Sequence, residues 1–143
     1  MSYKLTQQPA ITVMGIHTRA SNAEPYKIGD LWRRYHAMGD HEGIAARLSD
    51  AHYGVYCEYE GDHTQPFTVV IGCEVPAGTA AVEGMRIIEI SAGEFAVYKP
   101  VGKLPDAVFE TWAEIWKTPL DRTYQADYDR YDAHGATVHV GVR

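Results

Sequence analysis

The chain has 143 residues, 45% hydrophobic and 22% charged, with a formal net charge of −6. That length suits one domain with a core and one pocket, and the acidic balance leaves no electrostatic footprint for direct nucleic-acid binding. No stretch is long and apolar enough to span a membrane, MSYKLTQQPA lacks a secretion-signal core, and Cys57 and Cys73 are the only cysteines, so a cytoplasmic protein with reduced thiols is expected.

ITVMGIHTR at 11–19 is rich in β-branched and apolar residues and reads as a strand, followed by the turn-like ASNAEPYK. The period then becomes helical. Ile28, Leu31, Trp32, Tyr35 and Met38 recur on one side, with Arg33 and Arg34 on the other and Gly39 as the stop. HEGIAARLSD adds a short helical turn, and HYGVYCEYE and FTVVIGCEV read as a hairpin joined by the polar GDHTQP.

The second half repeats that order. MRIIEI and EFAVYKPV read as a hairpin around SAGE, and LPDAVFETWAEIW as a helix. Pro105 suits its first turn, and Asp106 and Glu110 lie near the positive end of its dipole. Val108, Trp112 and Ile115 with Phe109, Ala113 and Trp116 form the apolar side, and YQADYDRYD and ATVHVGV supply two further strands. LWRRY lies over TWAEIW, YCEYEGD over YDRYDAH, and FTVVIGCEV over TVHVGV. The chain therefore reads as one domain with an internal duplication, about 10–76 and 85–143. The expected fold is α+β: tandem strand-helix-strand-strand modules forming one antiparallel sheet, two main helices on one face, and a pseudo-two-fold ligand pocket where the tyrosine strands meet.

Strand parity divides DYDRYD into two faces. Asp127, Asp129 and Tyr131 share one, and Tyr128, Arg130 and Asp132 the other. One face lines a pocket, or the charges simply keep an edge strand soluble. Tyr53, Val55, Cys57 and Tyr59 alternate with Tyr56 and Glu58, which leaves open which set faces the cavity. Tyr56 and Tyr59 are candidates for its wall, and Glu58 and Glu74 are alternative carboxylates. Trp32 and Trp112 fit the helical core stripes, whereas Trp116 lies near a helix end and is the tryptophan expected in the pocket. The seven histidines show no zinc spacing, and phosphate-loop and nucleophile-elbow patterns are absent, so neither metal nor cofactor is expected.

The ordered set VMGIHTR, IGDLWRRY, YGVYCEY, FTVVIGCEV, IIEISAGEFAVYKPVG, FETWAEIW and DYDRY resembles the GyrI-like family, the AraC-type effector-binding domain of Rob- and BmrR-like regulators. The resemblance implies a binder of lipophilic, often cationic, small molecules, here stand-alone because no helix-turn-helix precedes the matching region. Other members resemble cyclopropanoid hydrolases, and one branch inhibits DNA gyrase by protein contact. The family commonly places a glutamate two residues before a tyrosine in the penultimate strand; this chain has Asp129 before Tyr131. The resemblance assigns those two residues to the pocket, where an acid among aromatic rings would trap a cation. The competing expectations are a hydrolase of strained electrophiles, with a carboxylate as base or nucleophile, and a module for a protein partner. Monomer and homodimer are both compatible with the sequence.

Overall fold

The computed structural model describes residues 2–39 and 43–143. Its elements are β1 (Lys4–Gln8), β2 (Ile11–Ala20), α1 (Tyr26–Ala37), β3 (His52–Cys57), β4 (Phe67–Val75), β5 (Arg86–Ile90), β6 (Gly93–Tyr98), α2 (Asp106–Lys117), β7 (Ala126–Asp132) and β8 (Gly135–Gly141). All eight strands join one antiparallel sheet in the order β1-β6-β8-β7-β3-β4-β2-β5. That order is symmetric about the central β3–β7 pair: β4 then β2 lie on one side, β8 then β6 on the other. The helical turn expected in HEGIAARLSD falls partly outside the described residues. Its described part forms turns that anchor the fully buried Ile44.

The expected hairpin of MRIIEI and EFAVYKPV does not form. β5 pairs with β2 at one end of the sheet, while β6 pairs with β8 and β1 near the other. Six strand spacings of about 4.8 Å would separate β5 from β6 in a flat sheet, about 29 Å, yet Ser91 and Ala92 bridge at most about 11 Å. The sheet must therefore curl until its ends approach. Val13, Val55, Val70, Ile90, Phe95 and Tyr128 fill the concave side in one continuous cluster. Gly15 and Gly72 face each other in register, and a Cβ on Gly72 would lie 1.8 Å from the Met14 carbonyl oxygen. Their missing side chains let β2 and β4 approach on the inside of the curl.

Both helices cover the opposite, convex face. Antiparallel partners share a face, and Tyr56 pairs with Val69, Gly54 with Asp129, and Asp129 with Val138. Val69 and Ile71 pack with Leu31 and Tyr35 of α1, and Val138 and Val140 pack with Val108 and Ile115 of α2. Each helix thus has its own core, and the space between them lies over the β3–β7 seam. Phe109 and Trp116, read from sequence as part of the apolar side of α2, are 57% and 39% exposed because they face that space rather than the sheet. Among the described residues, no helix is long and apolar enough to cross a membrane, and no cluster of His, Cys, Asp and Glu is arranged to hold a metal ion.

Candidate functional site

A cavity of about 540 Å³ opens over the β3–β7 seam. Trp32 of α1 and Trp112 of α2 wall it on either side, Tyr56, Asp129 and Tyr131 rise from the sheet, and Phe67 and Tyr59 close one end. Its rings pack edge to face: Tyr56 against Trp112 at 5.4 Å and Tyr131 against Trp32 at 5.3 Å between centroids. At the mouth His63 stacks on Trp116, and the Asn22 side-chain amide donates to the His63 carbonyl at 2.6 Å. Gly54 stands opposite Asp129 across the seam, and a Cβ there would lie 3.4 Å from Trp32 and 3.9 Å from Asp129 Oδ2. The glycine leaves room for the carboxylate and the indole together.

Asp129 is fully buried. Tyr56 donates its hydroxyl to Oδ2 at 2.6 Å, Tyr131 donates to the same oxygen at 3.3 Å, and Trp112 Nε1 donates to Oδ1 at 2.9 Å. All three donors are neutral. Burial pushes the carboxyl up to about 6, against the lowering effect of the Tyr56, Trp112 and Tyr131 hydrogen bonds, with the nearby Asp127 charge adding to the rise. From an ordinary 3.8, that rise corresponds to about 3 kcal/mol held against the ionised form at pH 7. The tyrosines are affected in turn: burial, then the Asp129 charge, keep both hydroxyls protonated far into alkaline pH.

Asp127, two residues earlier on the same face, is equally buried and solves the problem differently. Arg122 Nη2 donates to its Oδ2 at 2.7 Å, the Tyr59 hydroxyl to the same oxygen at 2.6 Å, and the Gly141 amide to Oδ1 at 2.8 Å. The Arg122 guanidinium also lies 4.3 Å from the Tyr124 ring centroid and 5.7 Å from that of Trp112. Its Nε and Nη1 are buried without a hydrogen-bond partner. Among the described residues, Arg122 neutralises the charge of Asp127, and no cationic group pairs with Asp129.

This fold matches known proteins. The Cass2 profile, described as integron-associated effector binding protein, covers residues 4–136. The chain belongs to the Cass2 family. A solved Cass2 relative, an integron cassette protein from Vibrio cholerae, is 25% identical, with a TM-score of 0.80 over 99% of this chain and 96% of that one. The structure of SAV2435 bound to tetraphenylphosphonium shares the fold at 18% identity, with a TM-score of 0.79 over 100% and 94% of the two chains. The transcriptional regulator BrlR of Pseudomonas aeruginosa is 26% identical over 137 residues, which are 92% of this chain and 48% of the regulator. The chain thus spans about half that relative's length. A GyrI-like effector-binding fold is what the resemblance in the sequence implied, and the Cass2 match and its structural neighbours show it.

In this Cass2 chain the sequence-selected Tyr56, Tyr59, Trp116, Asp129 and Tyr131 all line the cavity. Glu58 and Glu74, the alternative carboxylates expected from the sequence, do not line it. Glu58 lies beyond the end of β3, where Arg86 first and the Thr68 hydroxyl second hold its carboxyl down at about 2. Glu74 pairs with Val13 and so points to the concave side, where it accepts from the Tyr53 hydroxyl at 3.3 Å. Parity alone would have sent Tyr59 to the wrong face. The left-handed backbone of Glu58, φ 52°, ends the alternation and swings Tyr59 under the helices.

Parity also corrects the alignment of the two halves. Tyr56 was laid over Tyr128, but these point to opposite faces; Tyr53 and Tyr128 pack together on the concave side, while Tyr56 and Tyr131 both reach Asp129. Gly54 pairs with Asp129 across the seam, so β3 supplies space where β7 supplies charge. Trp32 and Trp112, expected in the core from their helical stripes, do pack against the two cores and also wall the cavity. The overlay of LWRRY on TWAEIW places both indoles at equivalent helix positions, and the structure sets both on the cavity. Arg122 was missed because TPLDRTYQ has no periodicity to orient it.

Proposed function

We propose that this chain is a binding protein for lipophilic cations, with Asp129 as the charge that selects them and Tyr56, Tyr131, Trp32 and Trp112 as the walls that hold their apolar bodies. The observation that carries this reading is the fully buried carboxylate in an aromatic cavity, held by neutral donors and by no cation. Such a group is costly to keep ionised, and a bound cation returns that cost as affinity. Each ring facing the cation adds about 0.5–2 kcal/mol, more as water is excluded. The binding of tetraphenylphosphonium by a protein of the same fold supports this class of ligand.

Hydrolysis is the weaker reading. A general base or nucleophile needs a lone pair within reach of the substrate, whereas the Asp129 oxygens already accept three hydrogen bonds and none of the residue is exposed. Titration calorimetry with tetraphenylphosphonium tests the binding reading. Micromolar affinity that falls at least about tenfold in Asp129→Asn is expected. Equal affinity in the two proteins would remove Asp129 from recognition.

A further inference from the structure

Resting on that reading, the geometry points to a narrower ligand class: we propose that the cavity prefers cations bearing N–H donors, protonated amines or amidines on an apolar body, over permanently charged cations without them. The reason is where the acceptors lie. Asp129 lines the cavity but has no exposed surface of its own, and one of its oxygens is already engaged by the Tyr56 and Tyr131 hydroxyls. Tyr56 and Tyr131, which line the cavity beside it, are partly exposed, so their hydroxyls are the nearer acceptors for a ligand.

An ionised carboxylate only accepts hydrogen bonds, so each tyrosine commits its single hydrogen to Asp129. The lone pairs left on each phenol oxygen are then free to accept. Burial and the adjacent charge keep both phenols protonated, so neither becomes an anion itself. Polarised by the charge behind them, these oxygens are stronger acceptors than isolated phenols. Trp112 commits its N–H to the same carboxylate and presents only its ring to the ligand. The site thus offers a bulky quaternary cation an attractive field and aromatic walls. A cation with an N–H gains a charge-assisted hydrogen bond in addition. Gly54 keeps the floor beside Tyr56 open: a Cβ there would lie 3.7 Å from its hydroxyl oxygen.

The test is calorimetry at about pH 8, where such an amine is still protonated, with three matched probes: 4-biphenylylmethyl-dimethylammonium, its trimethylammonium counterpart, and the neutral methyl ether of 4-biphenylmethanol. The expected result is binding of the dimethylammonium at least about tenfold tighter than the trimethylammonium, with both tighter than the ether. In Tyr56→Phe/Tyr131→Phe the preference should shrink below about threefold; the single variants give the same reading if the double does not fold. Equal binding of the two cations, each tighter than the ether, overturns the inference and leaves cation binding standing. A preference that survives loss of both hydroxyls also overturns it, because the N–H would then reach Asp129 directly. Cations that bind no better than the ether overturn both this inference and the reading it rests on.

Discussion

Asp127 and Asp129 sit two residues apart on one face of one strand, both without exposed surface, and each accepts three hydrogen bonds. Only the company differs. Asp127 faces a guanidinium, a phenol and a backbone amide, and Asp129 two phenols and an indole. A buried charge matched by an internal countercharge belongs to the scaffold. One left to neutral donors is, on the proposed reading, a site for an outside cation.

Breaking the matched pair should have the largest effect. Asp127→Ala leaves Arg122 buried beside aromatic rings without a countercharge, and should cost about 3–5 kcal/mol in urea unfolding. Asp129→Asn should behave differently. At pH 7 the cost of the ionised form, about 3 kcal/mol, disappears, while the new amide donor leaves one of the Tyr56, Trp112 or Tyr131 hydrogens without its acceptor at about 1–3 kcal/mol, so stability should change far less than in Asp127→Ala. Cation affinity should drop as stated above, and the two residues would be functionally indistinguishable if both variants lost stability alike.

The pH dependence of Asp129 follows from the direction of its shift. Its folded pKa is raised, from 3.8 to about 6, so the folded state binds the extra proton between those values. The cost is therefore full above about pH 6 and is relieved as pH falls toward 4, and wild type should gain stability relative to Asp129→Asn over that window. Over the same window tetraphenylphosphonium affinity should fall, by up to about tenfold between pH 7 and pH 5, because protonation removes the attracting charge. A flat affinity profile would contradict the assignment.

Smaller effects sharpen the contrast. Trp112→Phe removes the donor to Oδ1, which should push the Asp129 carboxyl further above 6 and cost about 1–3 kcal/mol in thermal unfolding. Glu58→Gln breaks an ion pair with Arg86 on the surface. Stability should change by less than about 1 kcal/mol and cation affinity not at all.

Local pattern was enough to read most of the elements, and the repeat of strand, helix and strand pair was enough to place both helices on one face. What escaped depends on long-range geometry. MRIIEI and EFAVYKPV carry a hairpin's local signature, but the curl that sends them to opposite ends of the sheet is set by the Gly15–Gly72 approach and the core it encloses. The strand β1 is short and polar, so nothing in KLTQQ distinguishes it from a loop; only its pairing with β6 makes it a strand. At the site, parity sorted Asp129 and Tyr131 from Tyr128, but it does not survive the left-handed residue at Glu58 that delivers Tyr59. Asp127 and Asp129 look alike in DYDRYD, and Arg122, the group that separates their roles, lies in the loop before the strand.

The central claim is that Asp129 carries a charge only an outside cation neutralises. Its carboxyl titration, followed by ¹³C NMR with and without saturating tetraphenylphosphonium, tests that most directly. A midpoint near 6 is expected in the free protein, falling by at least about one pH unit when the cation is bound. A midpoint near the ordinary 3.8 in the free protein, or one the cation does not move, would contradict it.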